Sequence, residues 1–388
     1  MGALHCHLYD PLSLAYLVRR AGLELLSVTR IAEPSGKLSV YAFAAPAESV
    51  QKKDYPMSDQ GITIIAEIGS VHDGSIGNAL KAVEAAAACG ADVVKFQTHI
   101  AEAETLADAP MPSYFRGEPR MDYFRRTAFS LSQWRQIARH CNEHGVRFLS
   151  SPFSIEAVDL LEEVGVELYK IPSGEVSNVP LLERVAATGK MVYLSSGMSN
   201  WAELDQAVAA LHKGGPLVVM QCSSAYPCPP ERVGLNVMLE IQQRYGLPVG
   251  LSDHTLGHAA CISAAALGAT VVEKHFTFSR LMYGSDARHS MEPDEFKVFC
   301  SHVKEAAIIR ANPVDKDDLQ DYGDMKRIFE KSVVTARAVM AGQSLQVADL
   351  AFKKPGDGIP AARYTELLGR QVRQALAPDH KISMEDLT

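Results

Sequence analysis

The sequence predicts an α/β protein: a (β/α)8 TIM barrel followed by a small β-rich module, with a short N-terminal extension in front. Three observations point there. Eight short apolar runs rich in β-branched residues recur at 63–68, 92–98, 147–150, 167–171, 191–195, 217–221, 249–252 and 271–275. Stretches with apolar residues at helical spacing lie between them, as at 78–89, 155–163 and 201–212. Nearly every run also ends in polar or ionisable residues. Short strands alternating with helices indicate parallel βαβ units. Eight such units over roughly 250 residues is the size of a (β/α)8 barrel, whose chemistry sits at the strand C-termini.

Each segment has its own justification. Residues 1–60 lie outside the alternating pattern: 11–23 suits a helix, and 25–30 and 37–43 suit paired strands across Glu33-Pro-Ser-Gly36. The proline- and charge-bearing stretch 44–60 reads as a linker. Tyr9-Asp-Pro-Leu-Ser-Leu and Arg20-Ala-Gly-Leu-Glu-Leu resemble the closing segment of a class I methyltransferase. No glycine-rich cofactor loop precedes them, so methyl transfer does not carry over. The barrel spans 61–310 and closes on a helix at 293–309, with Pro293 at its first turn. A charged stretch with Pro313 and Gly323 marks a linker over 311–329. In the final module, 330–388, Met340-Ala-Gly-Gln-Ser-Leu-Gln-Val-Ala-Asp-Leu350 is echoed by Leu376-Ala-Pro-Asp-His-Lys-Ile-Ser-Met-Glu-Asp-Leu387. Each half pairs a turn with a short strand, and the module is too small to be very stable alone.

Composition narrows the function. At 388 residues the chain can hold two domains, and 47% hydrophobic with 22% charged residues is ordinary for a globular protein. A net charge of −8 gives no basic face for nucleic acid. No apolar run is long enough to span a bilayer. The start, Met1-Gly-Ala-Leu-His-Cys-His7, lacks the regions of a signal peptide, and Cys6 stands where a myristoylation signal needs Ser or Thr. Seven scattered cysteines without a Cys-x-x-Cys pair suit a reducing compartment, so a cytoplasmic location is expected.

The strand ends carry the chemistry. They present Glu67; Lys95, Gln97 and His99; Ser151; Lys170, Ser173 and Glu175; Ser195; Ser224 and Tyr226; Ser252, Asp253 and His254; and Glu273 with His275. Lys95 and Lys170 lie inside otherwise apolar strands, and a buried ammonium needs an anionic partner. Glu67 or Glu273 could supply it within the protein. A phosphate held by the lysines and the surrounding serine hydroxyls could supply it from outside. For Ser151 and Ser154 the plainer role is helix capping. For Cys222 it is that of a small buried side chain. His254 and His275, on neighbouring strands, suit a first-row divalent ion such as Mn2+, with open positions for Lewis-acid catalysis. They suit acid–base work without metal equally. Asp253 and Glu273 could orient such ligands rather than bind.

Eight segments in order resemble one family. Ala66-Glu-Ile-Gly69, Val94-Lys-Phe-Gln-Thr-His99, Ser151-Pro-Phe-Ser154, Tyr169-Lys-Ile-Pro-Ser-Gly-Glu175, Leu194-Ser-Ser-Gly-Met198, Cys222-Ser-Ser-Ala-Tyr-Pro227, Gly250-Leu-Ser-Asp-His-Thr255 and Glu273-Lys-His-Phe-Thr277 are similar to the sialic acid synthases. Phe352-Lys-Lys-Pro-Gly-Asp-Gly358 resembles part of their C-terminal antifreeze-like (SAF, β-clip) domain. The resemblance implies a transferase that condenses phosphoenolpyruvate with an N-acylmannosamine-type aldose, giving a nonulosonic 2-keto acid and phosphate with help from Mn2+ or Mg2+. It implies His254 and His275 as metal ligands. Lys95, Gln97, Ser151, Lys170, Ser173, Ser195, Ser224 and Ser252 fall at phosphoenolpyruvate positions, and Glu67, Tyr226, Asp286 and Lys354 at sugar positions. Glu67, His254, His275, Lys95 and Glu273 are the catalytic set. It also implies a domain-swapped homodimer in which Lys354 reaches the partner's sugar.

Three departures cluster on the sugar side. Lys354 stands where the family commonly has arginine, and Val71 where an asparagine usually precedes His72. The segment 100–126 does not follow the family's sugar-binding loop. A related synthase making a shorter or non-acylated keto-deoxy sugar acid is the first alternative, and a catalytically silent scaffold barrel the second.

Overall fold

The computed structural model describes residues 23–32, 38–46, 61–110 and 118–388, which divide into two compact units, Met1–Asn312 and Pro313–Thr388. In chain order the first unit contains β1 (Leu23–Ala32), β2 (Leu38–Pro46), β3 (Thr63–Gly69), α1 (Ile76–Cys89), β4 (Val93–Thr98), α2 (Ala101–Glu104), α3 (Arg120–Thr127), α4 (Leu131–Glu143), β5 (Arg147–Pro152) and α5 (Ile155–Val164). It continues with β6 (Leu168–Ile171), α6 (Val179–Ala186), β7 (Met191–Ser195), α7 (Trp201–Leu211), β8 (Leu217–Cys222), α8 (Leu235–Tyr245), β9 (Val249–Asp253), α9 (Ala259–Leu267), β10 (Val271–His275) and α10 (Pro293–Ala311). The second contains α11 (Gly323–Phe329), β11 (Ser332–Thr335) and β12 (Leu350–Lys353).

Strands β3 to β10 close a parallel barrel in sequence order, β10 pairing with β3. A period of two explains what each strand does. On one face Ile65, Val93, Leu149, Leu168, Tyr193 and Met220 belong to a buried cluster of strand residues alone. On the other, Ile64, Ala66, Val94 and Phe96 belong to the larger core that includes α1, α4 and α10. Continuing the inward rows toward the C-termini replaces apolar residues by Glu67, Lys95, Lys170, Ser195, Ser252 and Glu273. Gly250 lies on an inward row between the helix-facing Val249 and Leu251, and a Cβ there would come 2.6 Å from the Val271 carbonyl oxygen, which favours glycine.

Local signals set the helix ends. Ser154 caps α5, accepting from the Ala157 N–H at 3.1 Å, and Ser130 with Gln133 forms a capping box on α4. Ser151, by contrast, is no cap: it belongs to β5 and is fully buried.

The expected strands near the N-terminus are present as the antiparallel pair β1–β2. The expected helix at 11–23 lies outside the described residues except for Leu23, which begins β1. The methyltransferase-like segment likewise falls mostly outside them. The stretch 311–329, read as a linker, contains α11. In the C-terminal unit β11 and β12 pair antiparallel around a core that includes Val333, Val339, Leu345 and Val372. The internal echo is structural as well: Asp349 accepts from the Gln346 N–H and Asp386 from the Ser383 N–H, both at 2.8 Å. Among the described residues no helix is long and apolar enough to cross a membrane.

Candidate active site at the barrel mouth

A cavity of about 430 Å³ opens at the C-terminal ends of the strands. Glu273, on β10, organises its floor. Its Oε1 accepts from Lys95 Nζ at 3.1 Å and Ser252 Oγ at 2.9 Å, and its Oε2 accepts from Lys170 Nζ at 2.6 Å. Both lysines are at most 4% exposed. Burial alone would raise the Glu273 carboxyl, but Lys170 and Lys95 outweigh it and hold the group well below the usual carboxylate range. The protein therefore supplies the anion that two buried ammoniums require.

Glu67 faces the same lysine with the opposite outcome. Its Oε2 is 3.4 Å from Lys95 Nζ and makes no hydrogen bond, while its Oε1 accepts from Gln97 Nε2 at 3.0 Å. Burial is the largest influence and, with Glu273 nearby, pushes this carboxyl up to about 7 despite the pull of Lys95. Two carboxyls in one pocket are thus driven apart, one a permanent anion and one able to gain or lose a proton near neutrality.

His254 and His275 project from the ends of β9 and β10 with ring centroids 5.6 Å apart. His254 Nδ1–H donates a hydrogen bond to the Ser223 carbonyl oxygen at 2.9 Å, so the neutral ring carries its lone pair on Nε2. Ser173, Gly197 and Ser224 converge nearby. A Cβ on Gly197 would fall 1.8 Å from Ser173 Oγ and 2.8 Å from Ser224 Oγ, so glycine is required for this close approach.

Residues 82–314 match the NeuB family and residues 330–388 the SAF domain. The chain belongs to the NeuB family. It is 35% identical to the N,N'-diacetyllegionaminic acid synthase of Campylobacter jejuni over 79% of this chain and 94% of that protein. Against the human N-acetylneuraminate-9-phosphate synthase the identity is 33%, over 84% and 92% respectively. The crystal structure of the Leptospira borgpetersenii N-acetylneuraminic acid synthetase superimposes with a TM-score of 0.62 at 25% identity, covering 78% of this chain and 98% of that one.

Of the strand-end candidates on this NeuB barrel, Glu67, Lys95, Gln97, His99, Lys170, Ser173, Ser195, Ser224, Tyr226, Ser252, His254, Glu273 and His275 line the cavity, as does Asp286, whereas Glu175, Asp253 and Ser151 do not; Ser151 Oγ is buried with no hydrogen-bond partner. Asp253 faces away from the mouth, 2.6 Å from Lys274 Nζ in a buried ion pair behind the barrel wall. Cys222 is buried, as its plainer role requires, yet it also lines the cavity. The sequence did not single out Arg120, Tyr123 and Phe124 of α3, nor Phe153 just beyond β5, all of which wall the cavity. The one available signal was two adjacent aromatics in the mostly charged run Arg120-Met-Asp-Tyr-Phe-Arg-Arg126.

The histidine pair suits a divalent metal. His275 Nδ1 is buried with no hydrogen-bond partner, and burial, the largest influence, holds the ring down to about 4, neutral with a lone pair to give. His254 shifts the other way: burial lowers it, but Cys222 and the Ser223 carbonyl outweigh that. Among the described residues the grouping of three potential ligands is Glu84, His140 and His144, on α1 and at the end of α4. None of these three lines the mouth.

Proposed function

We propose that this protein condenses phosphoenolpyruvate with the open-chain aldehyde of an N-acylated mannosamine-type aldose, releasing phosphate and a nine-carbon 2-keto sugar acid. C3 of phosphoenolpyruvate bonds to the aldehyde carbon, water adds at C2, and cleavage of the C2–O bond expels phosphate. The observation that carries this reading is the buried Lys95–Glu273–Lys170 cluster beside a carboxyl poised near neutrality. Lys95 and Lys170 present cationic donors to the anionic substrate, with Ser173, Ser195, Ser224 and Ser252 adding hydroxyls. Glu67 can take a proton from water or return one to the new alkoxide, and Glu273 keeps both lysines charged and in place. His254 and His275 would hold a divalent ion, whose chemistry there is polarisation of the aldehyde oxygen. The names of the relatives favour an acylated nine-carbon product. A cytoplasmic homodimer, with Lys354 serving the other protomer's sugar, belongs to the same proposal.

The test is phosphate release from phosphoenolpyruvate with Mn2+ and a panel of mono- and diacetamido hexoses, with the product weighed by mass spectrometry. A nine-carbon N-acylated acid is expected, with turnover lost on chelation. A seven- or eight-carbon product would replace this reading with the shorter-chain alternative. No turnover with any aldose would remove the enzyme assignment.

A further inference from the structure

The amide of Gln97 contacts Glu67, and its two ends differ only in the hydrogen bonds they can make. With Nε2 donating to Glu67 Oε1, its Oε1 is left to accept. That oxygen lies 3.2 Å from His99 Nε2, so the imidazole must donate there. The other ring nitrogen, Nδ1, is 2.8 and 3.0 Å from the two carboxylate oxygens of Glu104, which can only accept. With the amide in this orientation both His99 nitrogens face acceptors, and Glu104 is the carboxylate beside the ring. The side chains of His99 and Glu104 are 7% and 5% exposed. Ser70 Oγ approaches Gln97 Oε1 at 3.4 Å, but a hydroxyl can turn to suit either amide orientation and so selects neither.

Packing prevents the ring from turning away. His99 is stacked between Phe124, at 3.9 Å between centroids and 10° between planes, and Phe153, at 4.2 Å and 19°. Arg120 lies 5.2 Å over the outer face of this stack, on the Phe124 ring. Phe124 and Arg120 stand on α3, within the 100–126 segment that departs from the sialic acid synthase pattern. The departure thus reaches inward to a side chain one residue removed from Glu67.

We propose that His99, clamped by Glu104 and by the Phe124–Phe153 stack, is a positioning residue that fixes the Gln97 amide with its N–H toward Glu67. This rests on the condensation reading. Without His99 the amide is free to turn its oxygen toward Glu67, which repels the carboxylate and removes a donor from it.

His99→Phe keeps an aromatic ring in the stack and deletes both hydrogen bonds; Glu104→Gln keeps an acceptor and removes the countercharge. On the full-length protein, His99→Phe is expected to lower kcat about 10-fold or more while the KM for phosphoenolpyruvate stays within about twofold. Glu104→Gln should act in the same direction, and the double variant should be no worse than His99→Phe, because the two act through one chain of bonds. Losses that multiply, or a His99→Phe enzyme with normal kcat, overturn the proposal. A second readout does not need turnover. Ring 15N spectra of histidine-labelled protein, with His99 assigned by its disappearance in His99→Phe, should show both nitrogens protonated in the wild type. One unprotonated nitrogen refutes the arrangement. If the wild type turns over no aldose, the condensation reading fails and the spectrum alone decides this one.

Discussion

Replacing Glu67 by Gln should flatten the pH dependence of folding while removing most of the activity. Glu67 is 1% exposed, and its carboxyl rises from an ordinary 4.5 to about 7, chiefly through burial. The folded state therefore keeps this proton to higher pH than the unfolded chain does. The group favours folding fully below about 4.5, and that contribution is lost as pH rises through about 7. Integrated between about pH 5 and about pH 8, the loss is on the order of 2.5 kcal/mol. Glutamine is neutral throughout, so the stability difference between variant and wild type should swing by that amount in favour of the variant. Urea unfolding of metal-free protein, followed by circular dichroism at both pH values, measures the swing. A difference constant to within ~0.5 kcal/mol would mean that Glu67 stays ionised beside Lys95, and its proton-handling role would fall with it. The same variant should lose roughly 100-fold or more in kcat, the usual contribution of a positioned acid or base.

Other substitutions separate the remaining roles. Glu273→Gln leaves Lys95 and Lys170 without their shared anion and should cost about 3–5 kcal/mol in the same unfolding experiment. Inorganic phosphate should then stabilise the variant more than the wild type, and equal stabilisation of the two would show that the lysines do not form an anion site. Gly197→Ala drives a Cβ against Ser173 and Ser224, so the KM for phosphoenolpyruvate should rise about 10-fold with the aldose KM little changed. An unaltered phosphoenolpyruvate KM argues that the serine cradle is empty of substrate. Lys274→Met strands Asp253 behind the barrel wall and should destabilise by about 3–5 kcal/mol, yet leave kcat within about twofold at temperatures where the variant is folded. A large kcat loss in folded protein would bring Asp253 back into the site.

The strand-end half of this site was legible in the sequence because a strand has a period of two. Once 92–98 is taken as a barrel strand, the apolar residues at 94 and 96 face the helices and Lys95 and Gln97 face inward. The same rule puts Glu273 and His275 inside while sending Lys274 outward to Asp253. It gives less at Ser151, which lies on an inward row level with Gln97 yet does not line the cavity. Nor could it show that one carboxylate, Glu273, serves both lysines, because that pairing joins β4, β6 and β10 across the barrel and has no local signature.

The other half depends on geometry that no period encodes. Helix α3 reaches the mouth through contacts made far away in sequence. Arg126 pairs with Asp73 at 2.7 Å and with Glu118 at 2.6 Å, and Gly74 provides the space, since a Cβ there would meet the Arg126 carbonyl oxygen at 2.4 Å. These contacts seat Tyr123 and Phe124 against a cavity whose floor is already complete. On the proposed reading the floor takes the phosphoenolpyruvate anion and the α3 wall faces the acceptor. Phe124 also stacks on His99, which contacts Gln97 and through it Glu67, so on the same reading a change in this wall is expected to alter acceptor fit and proton handling together. If the stack of rings couples acceptor choice to rate, exchanging α3 for another sequence should shift the preferred aldose and lower kcat together while the KM for phosphoenolpyruvate stays unchanged; a change in acceptor preference with normal kcat would refute the coupling.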